Sequence, residues 1–355
     1  MFSDRVYFPI LKSKQGELKA LGHLAEDIKN QLIPTIDVVP NTSANKTFGQ
    51  HLDKVCESVV EHWGTESVVF LDLFDIHPDQ RTEANEHPVD HIFRTARSSD
   101  IKAFPTIGLD RDDDYIGAVS RVLQEMDPHL LVRLQREDLQ APTISIPELL
   151  ATLSELGLAP EQVTLLIDFR EVQEPIQPLS QQAQTLIVQL NGVGNWNRII
   201  VAGSAMPKSV ASVIEQSSQG YLARLEQDLW ADIDVNSEVT IGFGDYTVVN
   251  PEYVDLDPRI YANTMGPSIR YTTTGSWLIA RGSSFSSHPD GYGQYYSLAS
   301  DIEASSDYMG EDYSFGDKYI SDRAAQTTGT GNPGTWITAG SNHHMTFVVE
   351  QLLAG

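Results

Sequence analysis

Several charged residues of this chain sit inside or at the ends of apolar runs, where an unpaired charge is most costly. Lys12 and Lys14 end YFPILKSK, and Asp37 is the polar residue of IPTIDVV. Asp72 stands between Leu71 and Leu73, with Asp75 close behind, and Arg133 stands between Val132 and Leu134. Asp168 and Arg170 share parity at the end of VTLLIDFR, and Asp245 closes VTIGFGD. Burying such a group unpaired costs several kcal/mol, on the order of the penalty for any desolvated ion. They must therefore face one another, water or a ligand. Ammonium and guanidinium groups suit a phosphate or carboxylate, which makes Lys12, Lys14, Arg133 and Arg170 candidates for holding an anion, with Asp245 at the same level. Asp72 and Asp168 beside them are candidates for proton transfer. The plainer reading is a structural charge network that fills one end of the fold.

Two further groups carry possible chemistry. His343 and His344 are adjacent, and on a helix they would point about 100° apart, so both cannot ligate one metal. No H-E-x-x-H and no Cys/His zinc spacing is present, and no metal or cofactor is assigned. One of the pair can meet an anion at a helix start or assist proton transfer; capping or packing is the plainer role. Arg270, Tyr271, Trp277 and Arg281 offer charge and stacking to a nucleobase or sugar, or form an ordinary sheet face. The acidic run DRDDDY (110–115) reads as a solvated loop, and a nucleophile elbow is excluded by the lack of G-x-S-x-G.

The elements that must position these groups alternate. Apolar runs at 6–12, 33–39, 67–74, 102–109, 129–134, 163–169, 198–203 and 239–246 read as strands. Helical patterns separate them, among them 51–63, 89–98, 115–126, 145–157 (with Ser145 as its cap), 179–192 and most of 209–232. Continuous rather than alternating apolarity fits parallel strands covered on both faces. Eight such units predict an α/β fold, a (β/α)₈ TIM-type barrel, whose functional residues lie at the C-terminal ends of the strands. An open doubly wound sheet is the competitor, but no strand is followed by G-x-G-x-x-G.

After the eighth strand the pattern breaks. Residues 268–284 read as β-structure with a Gly-containing bend, 286–317 as an acidic, Tyr-rich loop, and 343–353 as the eighth helix, capped by Ser341 or Asn342. The expected organisation is a barrel from 1–246 and 340–355, with 247–339 a β-rich and looped insertion over the C-terminal mouth.

Lys plus Arg number 24 against 49 Asp plus Glu, a net charge of −25. Such a field disfavours a broad duplex-binding face without excluding a local basic pocket. The single cysteine, Cys56, lies on the apolar side of its helix and reads as a packed small side chain. No run approaches a membrane span, and the expectation is a cytoplasmic protein.

YFPILKSKQGELKAL, SIRYTTTGSWLIARG and GTWITAGSNHHMTFVVEQLL together resemble the beta protein family of bacteria and their phages. The resemblance covers nearly the whole chain. It implies Lys12, Lys14, Gly16, Glu17, Arg270, Tyr271, Arg281, Gly282, His343 and His344 as family-pattern positions, and a setting near mobile elements or antiviral defence, but no chemistry. Two functions follow as expectations. The first is binding, with or without turnover, of an anionic phosphorylated or nucleotide-like small molecule at the mouth. The second is a non-catalytic module whose insertion engages a protein partner, a phage or phage-defence component.

Overall fold

The computed structural model describes residues 6–253 and 265–354, so part of the stretch 247–339 expected to form an insertion lies outside the described residues. In chain order the first half comprises β1 (Ile10–Lys12), α1 (Gln15–Gly22), α2 (Glu26–Lys29), β2 (Thr35–Asp37), α3 (Phe48–His62), β3 (Val69–Asp72), α4 (Pro88–Ser98), β4 (Ala103–Gly108), α5 (Asp113–Leu123) and β5 (Leu130–Leu134). It continues with α6 (Arg136–Gln140), α7 (Pro142–Leu156), β6 (Val163–Glu171), α8 (Gln177–Asn191), β7 (Arg198–Ser204), β8 (Ser218–Ala223), α9 (Leu225–Val235) and β9 (Ile241–Asp245). The last part holds β10 (Ser268–Thr272), β11 (Ser276–Arg281), α10 (Gln294–Glu303), α11 (Phe315–Ala324) and α12 (Pro333–Ala354).

Eight parallel strands run in the order β1-β2-β3-β4-β5-β6-β7-β9. The ring closes where Tyr7 bridges Phe243 and the Phe8 N–H donates to the Phe243 carbonyl at 2.9 Å. The fold is the (β/α)₈ barrel that the alternation predicts. Its interior is plugged by Phe8, Ile10, Phe70, Phe104, Leu131, Leu166 and Ile200 among others. A Cβ at Gly242 would stand 2.9 Å from the Phe8 ring, so the inward position of β9 there is kept bare to admit that ring. The larger core lies between strands and helices and includes Cys56, whose thiol burial pushes up to about 12, well away from nucleophilic use.

Period two then sets the layer above the plug. Lys12 follows Ile10, Asp72 follows Phe70, Arg133 follows Leu131 and Asp168 follows Leu166, each two residues further toward the C-terminal end. Lys12, Asp37 and Asp72 are in direct register across β1, β2 and β3. An apolar plug capped by a charged layer is thus written into alternate residues of the strands.

Four local expectations differ from what is observed. The stretch 209–232 contains β8, which pairs antiparallel with β11 in a separate three-stranded sheet ordered β10-β11-β8; helix is confined there to a 3₁₀ turn at Val210–Ser212 and to α9. The Tyr-rich segment contains α10, because Tyr295, Leu298, Ala299 and Ile302 recur at helical spacing and are all buried. Ser145 does not cap: it lies inside α7, and its hydroxyl donates to the Asp138 carbonyl at 2.9 Å.

The final helix starts at Pro333, not near His343. Asn332 supplies the cap, accepting the Thr335 N–H at 3.2 Å while Thr335 Oγ1 accepts the Asn332 N–H at 2.9 Å. Proline in the first turn is pre-set for helix and lacks the N–H that would be orphaned. Ser341, Asn342, His343 and His344 are therefore mid-helix and fully buried. A Cβ at Gly340 would meet the Arg270 carbonyl at 3.0 Å, which shows how closely α12 passes the hairpin. Among the described residues no helix is long and apolar enough to cross a membrane.

Candidate functional site

Arg133 occupies the centre of the charged layer and is 0% exposed. Its Nε donates to Asp168 at 2.9 Å, Nη1 to Asp37 at 3.0 Å and to Asp72 at 2.7 Å, and Nη2 to the Tyr246 hydroxyl at 2.6 Å. Tyr246 in turn donates to Asp168 at 2.6 Å. Burial opposes the Arg133 charge, but the three carboxylates around it hold its proton more firmly than in water. Lys12, 3% exposed, lies 3.3 Å from Asp75 and 3.8 Å from Asp37. Arg111, from the run expected to be a solvated loop, turns inward and reaches Asp72 at 3.2 Å. Of the charges expected to face one another, Asp37, Asp72, Arg133 and Asp168 form one hydrogen-bonded network, Lys12 joins it through its ion pair with Asp37, and Arg170 stays outside it.

The carboxylates of that network differ. Burial works against the Asp72 charge, but Arg111 and Arg133 overcome it and hold Asp72 below the usual carboxylate range. Asp168 is occupied on both oxygens, by Arg133 and Tyr246 on one and by the Arg170 N–H at 2.8 Å on the other. At Asp37 burial outweighs Arg133 and Lys12 and raises its affinity for protons, and its Oδ2 has no hydrogen-bond partner. Glu17, buried in α1, accepts the Lys12 N–H at 2.9 Å, and burial raises it to about 7.

Above this floor the strand ends carry basic groups with other partners. The pairing of β6 and β7 shifts register between Asp168 and Glu171, and Arg170 has a left-handed backbone, φ 54°. Such bulges re-aim a side chain. Here the half-buried Arg170 guanidinium lies 4.8 Å from the centre of the Phe74 ring and donates to the Pro251 carbonyl at 3.1 Å. It has no carboxylate partner among the described residues, and its Nη1 makes no hydrogen bond. Arg136, at the start of α6, donates to the carbonyls of Phe169 and Glu171 and has no carboxylate partner among the described residues. These two arginines line a polar cleft of about 250 Å³ together with Gln135 and four carboxylates, Glu137, Asp168, Glu171 and Glu252. Lys14 stands over the Tyr253 ring at 4.7 Å.

The histidines and the insertion residues lie elsewhere. His344 Nε2 donates to Asp245 at 2.7 Å while its Nδ1 accepts from Thr272 Oγ1 at 2.8 Å, and Tyr7 donates to the same carboxylate. Burial lowers the His344 affinity for protons and keeps the ring neutral; burial also opposes the Asp245 charge, but its donors hold it ionised. His343 bridges Asp317 at 2.8 Å and the Thr272 carbonyl at 2.9 Å, stacked 3.9 Å from Tyr271, whose hydroxyl donates to Asp317 at 2.7 Å. Arg270 donates to the Val248 carbonyl at 2.6 Å and Arg281 to the Ile214 carbonyl at 2.7 Å. Tyr7, Asp245, Tyr271, His343 and His344 thus bind barrel, hairpin and α12 together in a sealed junction. None of them, nor Arg270 or Arg281, lines the clefts at the strand ends.

Sequence reasoning missed Phe74, Tyr246, Arg111 and Arg136. Phe74 and Tyr246 were within reach, because they continue the inward parity of Asp72 and of Gly242 and Gly244 by one more step. Arg111 and Arg136 lie beyond their strands, where parity no longer applies. Among the described residues no group of three or more His, Cys, Asp and Glu side chains is disposed to hold a metal.

Three solved structures resemble the fold. They are a tryptophan synthase α-subunit mutant from the hyperthermophile Pyrococcus furiosus (TM-score 0.41, 12% identity, covering 70% of this chain and 90% of that one), triosephosphate isomerase from Bartonella henselae (0.35, 11%, 69% and 94%) and an alanine racemase of Clostridium difficile 630 in complex with cycloserine (0.34, 12%, 79% and 66%). Likenesses this remote carry no functional argument. No curated protein matches the sequence. The model of one family, described as Beta protein, matches residues 7–350, and the chain belongs to that family.

Proposed function

We propose that the C-terminal mouth of the barrel binds an anionic, phosphorylated or nucleotide-like small molecule, with the anionic group held by Arg170 and Arg136 above the Arg133 floor. The observation that carries this reading is Arg170: a strained backbone in a strand bulge presents a guanidinium with no carboxylate partner among the described residues to a polar cleft. Carboxylates line the same cleft, Glu137, Glu171 and Glu252 among them, yet none pairs with Arg170 among the described residues, which leaves its guanidinium for a ligand anion. Lys12 and Arg133 offset the charge of the carboxylates in the floor, and Lys14 belongs to the rim. Of the acids, Asp37 rather than Asp72 or Asp168 has an oxygen without a hydrogen bond, Oδ2, which lies 3.8 Å from the Lys12 ammonium and is the candidate for proton exchange. The test is a thermal-shift series with phosphate-bearing ligands, with and without Mg²⁺. A ligand at about 100 times its Kd adds roughly 2.7 kcal/mol of stability, and that shift should vanish in Arg170→Gly.

A second reading has its own support. The Arg133 network is closed, each of its carboxylates already paired, as in a purely structural scaffold. In that case the insertion engages a protein partner, in keeping with the phage or phage-defence setting of the family resemblance. This reading requires that no small anion stabilises the protein.

A further inference from the structure

A second cleft lies beside the first. It measures about 160 Å³ at the ends of β3 and β4, with Phe74, Ile76, Pro78, His87, Arg111 and Tyr115 in its walls. This is smaller than the roughly 300–1,000 Å³ of a pocket for a whole drug-sized ligand, so it suits one ring of a larger molecule. Phe74 stands between the two clefts. The Arg111 guanidinium carbon, from the second cleft, lies 5.1 Å from the Phe74 ring centre. The Arg170 carbon, from the first, lies 4.8 Å from the same centre.

The chemistry of the second cleft is that of a flat polar ring. Arg111 is held between the rings of Phe74 and Tyr115, 5.3 Å from the latter, and planar groups stack readily on guanidinium and aromatic faces. Arg111 Nε is buried with no hydrogen-bond partner. His87 sits edge-on to Tyr115 at 5.8 Å and accepts the Val89 N–H on Nδ1. That bond assigns its proton to Nε2, leaving a donor for a ligand. Asp110 and Asp112 supply acceptors at the same cleft. Stacking faces with both donors and acceptors at the edge match a nitrogen heterocycle better than an aliphatic group or a plain phenyl ring.

We propose that this cleft is the ring subsite of the mouth ligand, which is therefore a heteroaromatic compound carrying an anionic group, the chemistry of a nucleoside monophosphate. The inference rests on the anion-binding reading above and adds to it the place and class of the second group.

The test is calorimetry on the full chain with ribose 5-phosphate and the four common ribonucleoside 5′-monophosphates. At least one nucleotide should bind tenfold or more tightly than ribose 5-phosphate. Ile76→Trp, which fills the cleft, should reduce that nucleotide to the affinity of ribose 5-phosphate and leave ribose 5-phosphate unaltered. His87→Ser, which keeps a capping side chain at the start of α4, should weaken the nucleotide at least threefold and the sugar phosphate not at all; it serves where the larger substitution unfolds the protein. If ribose 5-phosphate binds through Arg170 and no nucleotide exceeds it, the ring subsite is overturned while the anion site stands. If nucleotide affinity survives both substitutions, the ring lies elsewhere and the proposal fails. If none of the five ligands binds, the anion reading fails and takes the ring subsite with it.

Discussion

The Asp168 carboxylate accepts the Arg170 backbone N–H at 2.8 Å on one oxygen and the Arg133 guanidinium at 2.9 Å on the other. A single side chain therefore fixes the floor of the mouth and the bulge that aims Arg170. Removing it leaves Arg133 short of one countercharge and the bulge without its anchor. Breaking a buried ion pair by deleting one partner costs about 3–5 kcal/mol. Asp168→Ala should lose stability of that size in urea denaturation, and a loss below about 1 kcal/mol would show that the network is not held as described.

The strands of the barrel were legible because each is a compact apolar run, and the charged layer because parity singles out Lys12, Asp37, Asp72, Arg133 and Asp168. The insertion was harder. Tyr295, Leu298, Ala299 and Ile302 carry a helical period, but the surrounding Gly, Ser and Asp mask it. The residues around His343 are buried on all sides, polar ones included, since α12 packs against α1, α11 and β10, and no amphipathic edge marks where it starts; only Asn332-Pro333 does. β8 is an edge strand whose partner β11 lies more than fifty residues away, so nothing local declares it. The role of Arg170 was legible as a charge at a strand end, but the bulge that re-aims it was not, because register is a property of the neighbouring strand.

Arg170→Gly separates function from folding. Glycine adopts φ 54° without steric cost, and relief of a strained residue is worth on the order of 1 kcal/mol. The variant should match or exceed the wild type in stability by thermal denaturation while losing its response to anions. A large loss of stability would mean that the guanidinium is structural.

Glu17 gives the protein a pH dependence. Its folded value of about 7 is raised above an unfolded value of 4.5, so its contribution is full below pH 4.5 and is lost as pH rises through 7. The shift corresponds to roughly 3 kcal/mol at most. Comparing Glu17→Gln with the wild type from pH 4 to 9 should show the variant gaining relative stability as pH rises, since Gln can still accept the Lys12 N–H. Parallel curves would contradict the buried carboxyl.

The junction at His344 predicts local loosening. His344→Ala leaves the Thr272 hydroxyl and one oxygen of Asp245 without partners and opens a cavity, together costing about 2–5 kcal/mol. Hydrogen exchange should quicken in β10 and β11, with β4, β5 and β6 much less affected. Uniform quickening across the barrel would show that the histidine supports the whole fold and not the junction.

The central claim is that the mouth holds an anion through Arg170. The most direct measurement is isothermal titration of the full chain with ribose 5-phosphate, wild type against Arg170→Gly, at two salt concentrations. The account predicts saturable binding to the wild type that weakens with salt and falls at least tenfold in the variant. Equal binding by both proteins would contradict it by placing the anion away from Arg170; no binding by either, with the nucleotides also failing to bind, would contradict it and leave the barrel as a scaffold for a protein partner.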